Sequence, residues 1–141
     1  MFLGEHKRAI DEKGQLSLPH QFSGALASGL IVTRGFDRNL MLFTGKRWQV
    51  LADQVLQRPL SSQQARILRR HLFADATVLA PDRNGRIILP ATLRDFANLE
   101  GEVVLIGMGD YVEVWGAAGW LLMREKIEAE EQVARWEEVG I

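Results

Sequence analysis

Two short segments of the chain carry turn-forming and charged side chains in the same order. The first is DEKGQLSLP at residues 11–19, and the second is DRNGRIILP at residues 82–90. In each segment an aspartate stands three residues before a glycine, which is typical of a β-turn. The aspartate side chain can bond the backbone ahead of it, and glycine tolerates a positive φ. The residues predicted to hold the two turns are Asp11, Gly14, Asp82 and Gly85.

Side chains that can bind an anion or a base lie beside both predicted turns. Arg86 directly follows the second turn glycine, and its planar guanidinium suits a phosphate or a guanine edge through two parallel hydrogen bonds. Gln15 holds the same place after the first turn; it is neutral, but it can pair with an adenine edge. An ion pair between Arg86 and Asp82, four residues apart across the turn, explains the arginine equally well.

Patterns typical of catalytic and metal sites do not occur in the sequence. The histidines, His6, His20 and His71, have no metal-ligand spacing, and the chain has no cysteine. We find no phosphate-binding loop, dinucleotide-binding fingerprint or nucleophile elbow. We therefore expect no enzyme activity, no catalytic residue, no metal and no cofactor.

The two turn segments open the two copies of a longer internal repeat. Beyond the turns, Gly29, Gly35, Phe43 and Trp48 recur in the same order as Gly101, Gly107, Trp115 and Trp120. Each copy reads as a turn, a short strand ending at a proline, a short helix, two further strands and a longer helix. The short helices are predicted at residues 20–26 and 91–97. The last helix is predicted to run from Ala117 to about Glu137.

These elements predict an α+β fold that is mainly β. Neither repeat alone could cover its sheet edges, so we expect the two to interlock about a pseudo-two-fold axis and to close a small β-barrel flanked by helices. The predicted divisions are residues 1–57 for the first repeat, 58–76 for a linking helix, 77–126 for the second repeat and 127–141 for an acidic helical tail.

Charge is distributed unevenly along the chain. Residues 1–94 contain 14 Lys or Arg and 7 Asp or Glu, whereas residues 95–141 contain 3 and 11. Local rather than net charge attracts a charged partner, so this asymmetry permits a nucleic-acid-binding surface despite the net charge of −1. The acidic end is equally well explained as a solvated helix. Arg66, Arg69 and Arg70 indicate a solvated face of the linking helix, or a contact with the acidic tail of a neighbouring subunit.

No membrane or export signal is recognisable. No apolar run approaches the roughly 20 residues needed to span a bilayer. The opening residues MFLGEHKRAIDEKG lack the apolar core of a signal peptide. We expect a cytoplasmic protein without membrane contact.

The duplicated motif resembles a known family. The pattern Asp-x-x-Gly-Arg-apolar-x-apolar-Pro at residues 82–90 resembles the signature of AbrB-type swapped-hairpin domains. Two such units in one chain of 141 residues resemble the MraZ family of bacterial regulators, from Met1 to about Lys126. This resemblance implies an intertwined AbrB-like barrel and a ring-like homo-oligomer in the nucleoid. It also implies binding to short direct repeats in double-stranded DNA, upstream of the division and cell-wall gene cluster that contains the protein's own gene.

The same resemblance assigns the Asp-x-x-x-Arg surface of each repeat to DNA. The implied DNA-binding positions are Arg86 and, in the first repeat, Gln15. From their places on the turns we expect Lys13 and Arg83 to bind phosphates on the same face, and Lys7 and Arg8, on the strand leading in, to extend the cationic patch. Because Gln15 stands where the pattern has arginine, we expect the first half-site to bind more weakly or to prefer another base. The second candidate function is an AbrB-type antitoxin-like module that binds a protein through its tail. The tail is short and amphipathic, so packing on a ring neighbour is the simpler interpretation.

Overall fold

The computed structural model describes residues 1–141 and has a mixed α+β architecture, which confirms the predicted class. Its eight strands, numbered in chain order, are β1 (Glu5–Ile10), β2 (Gln15–Ser17), β3 (Leu30–Arg34), β4 (Leu40–Phe43), β5 (Thr77–Leu79), β6 (Arg86–Ile88), β7 (Gly101–Gly107) and β8 (Val112–Gly116). Its five α-helices are α1 (His20–Leu26), α2 (Gly45–Leu56), α3 (Gln63–Phe73), α4 (Ala91–Ala97) and α5 (Ala117–Glu131).

Local signals in the sequence set the first residues of four helices. α1 and α4 begin directly after Pro19 and Pro90, where the missing N–H of proline costs no helical hydrogen bond. Thr44 and Ser62 cap α2 and α3, because each side-chain oxygen accepts a hydrogen bond of 3.2 Å from a backbone N–H three residues further on.

Strands of the two repeats pair with one another in an antiparallel sheet. The six-stranded sheet has the order β1-β7-β8-β4-β3-β5, while β2 and β6 form a separate two-stranded sheet. If the two repeats are exchanged, β1 takes the place of β5, β3 that of β7 and β4 that of β8, and the order reads the same from the other edge. The pseudo-two-fold axis passes between β4 and β8, where Met41 lies opposite Glu113.

The predicted closed barrel is not confirmed, because the six-stranded sheet remains open. Its edges are β1 and β5, which do not pair with each other, and β5 contains only three residues. The β2–β6 pair is a separate sheet that packs on the inner face of the large sheet. Leu16 and Ile87 from this pair are both buried in the main core.

One hydrophobic core joins the two repeats. Leu16, Phe22 and Leu26 from the first repeat are buried in the same cluster as Leu93 and Leu105 from the second. Full burial of one such side chain stabilises a fold by about 1.5–3 kcal/mol, so each repeat depends on apolar surface supplied by the other.

A second, smaller core lies on the outer face of the sheet, under α2 and α3. It contains Met41, Phe43, Val55 and Leu72, and Trp48 packs against Phe43 with the ring centroids 5.8 Å apart. The linking helix α3 is therefore an integral part of the folded body.

The last helix is shorter than the sequence predicted. α5 ends at Glu131, and a 3₁₀ turn over Trp136–Val139 follows. α5 buries none of its residues. Most of the stability of a helix in a protein comes from packing, and α5 has no buried face to continue, which explains why it does not extend to Glu137. Glu5 on β1 attaches it to the body by accepting hydrogen bonds from Trp120 Nε1, at 3.0 Å, and from Arg124.

The shared core makes a direct prediction for unfolding. Leu16→Ala should destabilise the chain by about 2–5 kcal/mol, because it removes a fully buried side chain that both repeats contact. Unfolding in urea should remain a single transition with the same midpoint by far-UV circular dichroism and by tryptophan fluorescence. Leu121→Ala is the matched control, since Leu121 is exposed, and should change stability by less than about 0.5 kcal/mol. Separate transitions for the two probes would contradict the shared core.

Candidate nucleic-acid interface

Two turns of the same geometry precede β2 and β6. The N–H of Gly14 donates to the carbonyl oxygen of Asp11 at 3.0 Å, and Gly85 donates to Asp82 at the same distance. The carboxylate of each aspartate also accepts two hydrogen bonds, of 2.8 and 3.0 Å, from backbone N–H groups two and four residues further on. Both glycines have a positive φ, +87° at Gly14 and +72° at Gly85. The two motifs therefore form equivalent, rigid turns.

Each turn is attached to the opposite repeat. Leu89 N–H donates to the carbonyl oxygen of Gly14, and Leu18 N–H donates to that of Gly85, both at 2.9 Å. These two hydrogen bonds extend the β2–β6 pairing by one residue at each end. Because a strand rises about 3.4 Å per residue, the two turns lie about 14 Å apart along the pair. We call residues 14–18 and 85–89 the ribbon.

The two faces of the ribbon differ in chemistry. Leu16 and Ile87 lie opposite each other on the inner face and are buried. Since side chains alternate along a strand, their neighbours point away from the core. The outward face of the ribbon carries Gln15 opposite Ile88 and Ser17 opposite Arg86. It therefore combines one amide, one hydroxyl, one cation and one apolar side chain that is 58% exposed.

Arg86 forms the ion pair with Asp82 that was the competing interpretation of its sequence position. Its Nε donates to Asp82 Oδ2 at 3.0 Å, and both side chains are about two-fifths exposed. The backbone N–H of Arg86, with smaller contributions from Asn84 and the Arg86 guanidinium, lowers the pKa of Asp82 below its usual value. An exposed pair of this kind adds little to stability. It orients the guanidinium on the outward face and leaves it exchangeable.

The first turn has a cation that belongs to the other repeat. Arg94 on α4 donates from Nε to Leu89 O at 3.0 Å and from Nη1 to Glu12 O at 3.2 Å. The corresponding residue beside the second turn is Ser23. Sequence reasoning missed Arg94, because it does not reveal which helix lies beside which turn. The available signal was the mismatch of arginine and serine between the repeats.

A cleft opens between each turn and the helix of the opposite repeat, and the two clefts differ in charge. The first, of about 890 Å³, has four carboxylates and two cations in its lining: Asp11, Glu12, Asp95 and Glu100, against Lys13 and Arg94. The second, of about 400 Å³, is lined by Asp82 and Arg83 together with His20 and uncharged residues. A polyanion is therefore repelled less at the second turn than at the first.

Lys7 and Arg8 project from opposite faces of β1. Arg8 lies on the same face as Ile10, which is buried in the core beneath the ribbon, and its Nη1 donates to the Lys7 carbonyl oxygen at 2.7 Å. Lys7 lies on the same face as Glu5, the residue that binds α5. The structure thus brings Arg8, but not Lys7, to the side of the sheet that the ribbon covers.

The histidines lie apart in the fold. His6 packs edge-on against Phe22 and His71 stacks on Phe36, with ring centroids 4.9 and 5.5 Å apart, while His20 begins α1. No group of three histidine, aspartate or glutamate side chains is arranged to hold a metal ion. None of the α-helices combines the length and apolar character needed to cross a membrane.

Two interlocked copies of one β-rich unit, with an outward ribbon and a turn at each end, define a double-repeat protein with internal pseudo-symmetry. The family model described as "MraZ protein, putative antitoxin-like" matches the chain twice, over residues 1–71 and 72–138. The chain belongs to the MraZ family.

Curated relatives match over most of their length and share one name, transcriptional regulator MraZ. The relative from Herpetosiphon aurantiacus is 44% identical over 120 residues, covering 85% of this chain and 84% of the relative. That from Thermomicrobium roseum is 44% identical over 130 residues, or 92% of each chain. That from Caldicellulosiruptor saccharolyticus is 36% identical over the full length of both.

The contacts of Arg94 predict that one substitution will loosen one turn selectively. In Arg94→Gln, the backbone amides of Gly14 and Gln15 should exchange with solvent faster, because the carbonyl oxygens of Leu89 and Glu12 lose their guanidinium donor. The amides of Gly85 and Arg86, in the second turn, provide the internal control and should keep their protection. Hydrogen exchange measured by mass spectrometry or NMR tests this. Equal acceleration at both turns would contradict a local role for Arg94.

Proposed function

We propose that this chain is a sequence-specific DNA-binding regulator of transcription that reads duplex DNA with the ribbon. The observation that carries the proposal is the outward face of the ribbon, where Gln15 and Arg86 share one rigid surface with a turn at each end. The regulator name shared by the relatives of this chain supports it.

The ribbon has dimensions and side chains suited to the major groove. That groove is about 12 Å wide and admits a two-stranded β-ribbon. The length of the ribbon, about 14 Å, equals about four base pairs of axial rise. Arg86 binds O6 and N7 of a guanine, Gln15 binds N6 and N7 of an adenine, and Ile88 contacts a thymine methyl group.

Binding exchanges the partner of Arg86. The guanidinium leaves Asp82 for the base, while the Asp82 carboxylate keeps its two backbone hydrogen bonds and holds the turn. Lys13 and Arg83, exposed on the two turns, bind flanking phosphates and set the position of the ribbon in the groove. Arg8 extends this cationic surface along β1, whereas Lys7, on the far face of the strand, lies outside it.

The two ends of the ribbon contribute unequally to binding. Gln15 forms neutral hydrogen bonds, which are about half as strong as the charge-assisted bonds of Arg86. The carboxylates around the first cleft, such as Glu12 and Asp95, weaken phosphate binding further. The second turn therefore provides most of the affinity, and Gln15 contributes base preference.

A single chain presents few cations to DNA, so its affinity for one site is low. Linking several copies, so that they bind adjacent sites together, raises the overall affinity by about 10²–10⁴ without any new contact to DNA. The proposed assembly is therefore a ring-like homo-oligomer that binds short direct repeats upstream of the gene cluster for division and cell wall. The protein then acts in the cytoplasm, at the nucleoid.

Removing the guanidinium of Arg86 tests the proposal. Arg86→Ala should weaken binding to a fluorescent fragment of the protein's own promoter by about fivefold to 150-fold, because the cost of one lost guanine contact is about 1–3 kcal/mol. Affinity should also fall steeply with salt, as expected when phosphates are neutralised. Fluorescence anisotropy measures both effects.

The control is Arg58→Ala, which removes an exposed arginine from the α2–α3 connection and should leave affinity within about twofold of wild type. Gln15→Arg, in the same titration, should tighten binding or change base preference at its end of the site. Salt-independent binding, or an affinity of Arg86→Ala equal to that of wild type, would refute the proposed mechanism.

A further inference from the structure

The last ten residues, 132–141, carry apolar and acidic side chains and are exposed throughout. We call these ten residues the tail. Val133, Trp136 and Val139 are spaced three residues apart and are 78%, 58% and 72% exposed. The backbone hydrogen bonds of this segment are all local. Exposed apolar side chains that cluster in this way mark a surface for another molecule. Glu137 and Glu138 stand between the apolar residues, so that molecule must tolerate negative charge.

The pseudo-symmetry of the fold also leaves α5 without a partner helix. α2 occupies the equivalent place in the first repeat; it packs against α3 and buries Ala52 and Val55. No helix of the chain lies beside α5 as α3 lies beside α2, and α5 buries no residue. Leu121 and Leu122 are mostly exposed as a result. The apolar surface that needs a cover therefore includes α5 as well as the tail.

A complementary groove lies on the outer surface of α3. It has a volume of about 410 Å³ and is lined by Phe36, Gln64, Ile67, Leu68 and His71. The residues from α3 are three and four positions apart and so share one face of the helix. Phe36 and Ile67 are more than half exposed. We call this cleft the α3 groove.

Two exposed arginines on the elements that line the α3 groove have no ion-pair partner. Arg70 is exposed on α3 and has no carboxylate within ion-pair distance. Arg38 is exposed two residues after Phe36, and its guanidinium lies 5.0 Å from the centroid of the Phe96 ring without a carboxylate partner. The groove thus offers apolar surface with an unpaired arginine next to His71 on α3 and another two residues after Phe36, and the tail offers apolar side chains beside carboxylates.

We infer that the tail of one copy of this chain docks in the α3 groove of a second copy. Trp136 and Val139 cover the apolar floor, and the neighbouring glutamates pair with Arg38 and Arg70. Charge favours a second copy as the occupant, because residues 95–141 carry 3 Lys or Arg against 11 Asp or Glu, and residues 1–94 carry 14 against 7. Because the two surfaces differ, the contact repeats head to tail and closes a ring where the rotation allows. The inference rests on the homo-oligomer of the proposed function.

Charge reversal on each side of this contact tests the inference in the full-length chain. The tail variant is Glu137→Lys with Glu138→Lys, and the groove variant is Arg38→Glu with Arg70→Glu. Each should raise the concentration needed for assembly by about tenfold or more, since each places like charges together in the contact. Combining all four substitutions should restore assembly. Sedimentation velocity over a range of concentrations measures these shifts.

The matched control is Glu100→Lys with Glu102→Lys, which makes the same charge change at exposed positions outside the tail. It should leave assembly unchanged. The inference is overturned if either double variant assembles like wild type or if the control loses assembly to the same extent. It is also overturned if the variant with all four substitutions does not regain assembly. Assembly that persists after residues 132–141 are deleted also overturns it. The tail would then be a binding surface for a different protein.

Affinity for a DNA fragment that contains a single copy of the promoter repeat separates this inference from the proposed function. The tail variant should bind this single repeat with wild-type affinity, because its substitutions leave the ribbon unchanged. It should nevertheless lose assembly. If the tail variant loses assembly while Arg86→Ala binds DNA with wild-type affinity, DNA reading by the ribbon is refuted and the docking contact stands. If the tail variant assembles like wild type while Arg86→Ala binds DNA more weakly, only the docking contact is refuted.

Discussion

The pairing of β2 with β6 is the interaction on which the rest of the structure depends. It joins the repeats through backbone hydrogen bonds and attaches each turn to the other repeat. The approach is close: a Cβ atom on Gly14 would lie 2.6 Å from the carbonyl oxygen of Leu89, and its φ of +87° also favours glycine. The same pairing buries Leu16 and Ile87 and so fixes the outward side chains on a rigid base.

The functional properties arise where the two repeats differ. The fold is nearly symmetric, but Arg86 is matched by Gln15 and Arg94 by Ser23. The first difference places a guanidinium on the outward face only at the second turn. The second places a guanidinium beside the first turn, where it binds backbone carbonyl oxygens. A third difference is α3, which has no counterpart beside α5. A symmetric backbone can thus present unequal ends to an asymmetric DNA sequence and unequal surfaces to its neighbours.

Local elements were predictable from the sequence, and long-range arrangement was not. α1 and α4 have the predicted bounds, because proline fixes where each begins. The Gly14 and Gly85 turns follow from residue types alone. The open sheet, the contacts of Arg94 and the end of α5 at Glu131 depend on which segments meet in space. A repeat in the sequence indicates that two units exist, but it does not determine whether their sheet closes.

Site-directed cross-linking to DNA tests the central claim most directly, since the chain has no cysteine of its own. A photoreactive group attached to Asn84→Cys, at the exposed second turn, is placed beside the ribbon. It should cross-link a duplex that contains the promoter repeats, within or next to a repeat. The same group on Ala129→Cys, exposed on α5, should give no specific product. Cross-linking from position 129 with none from position 84 would contradict DNA reading by the ribbon.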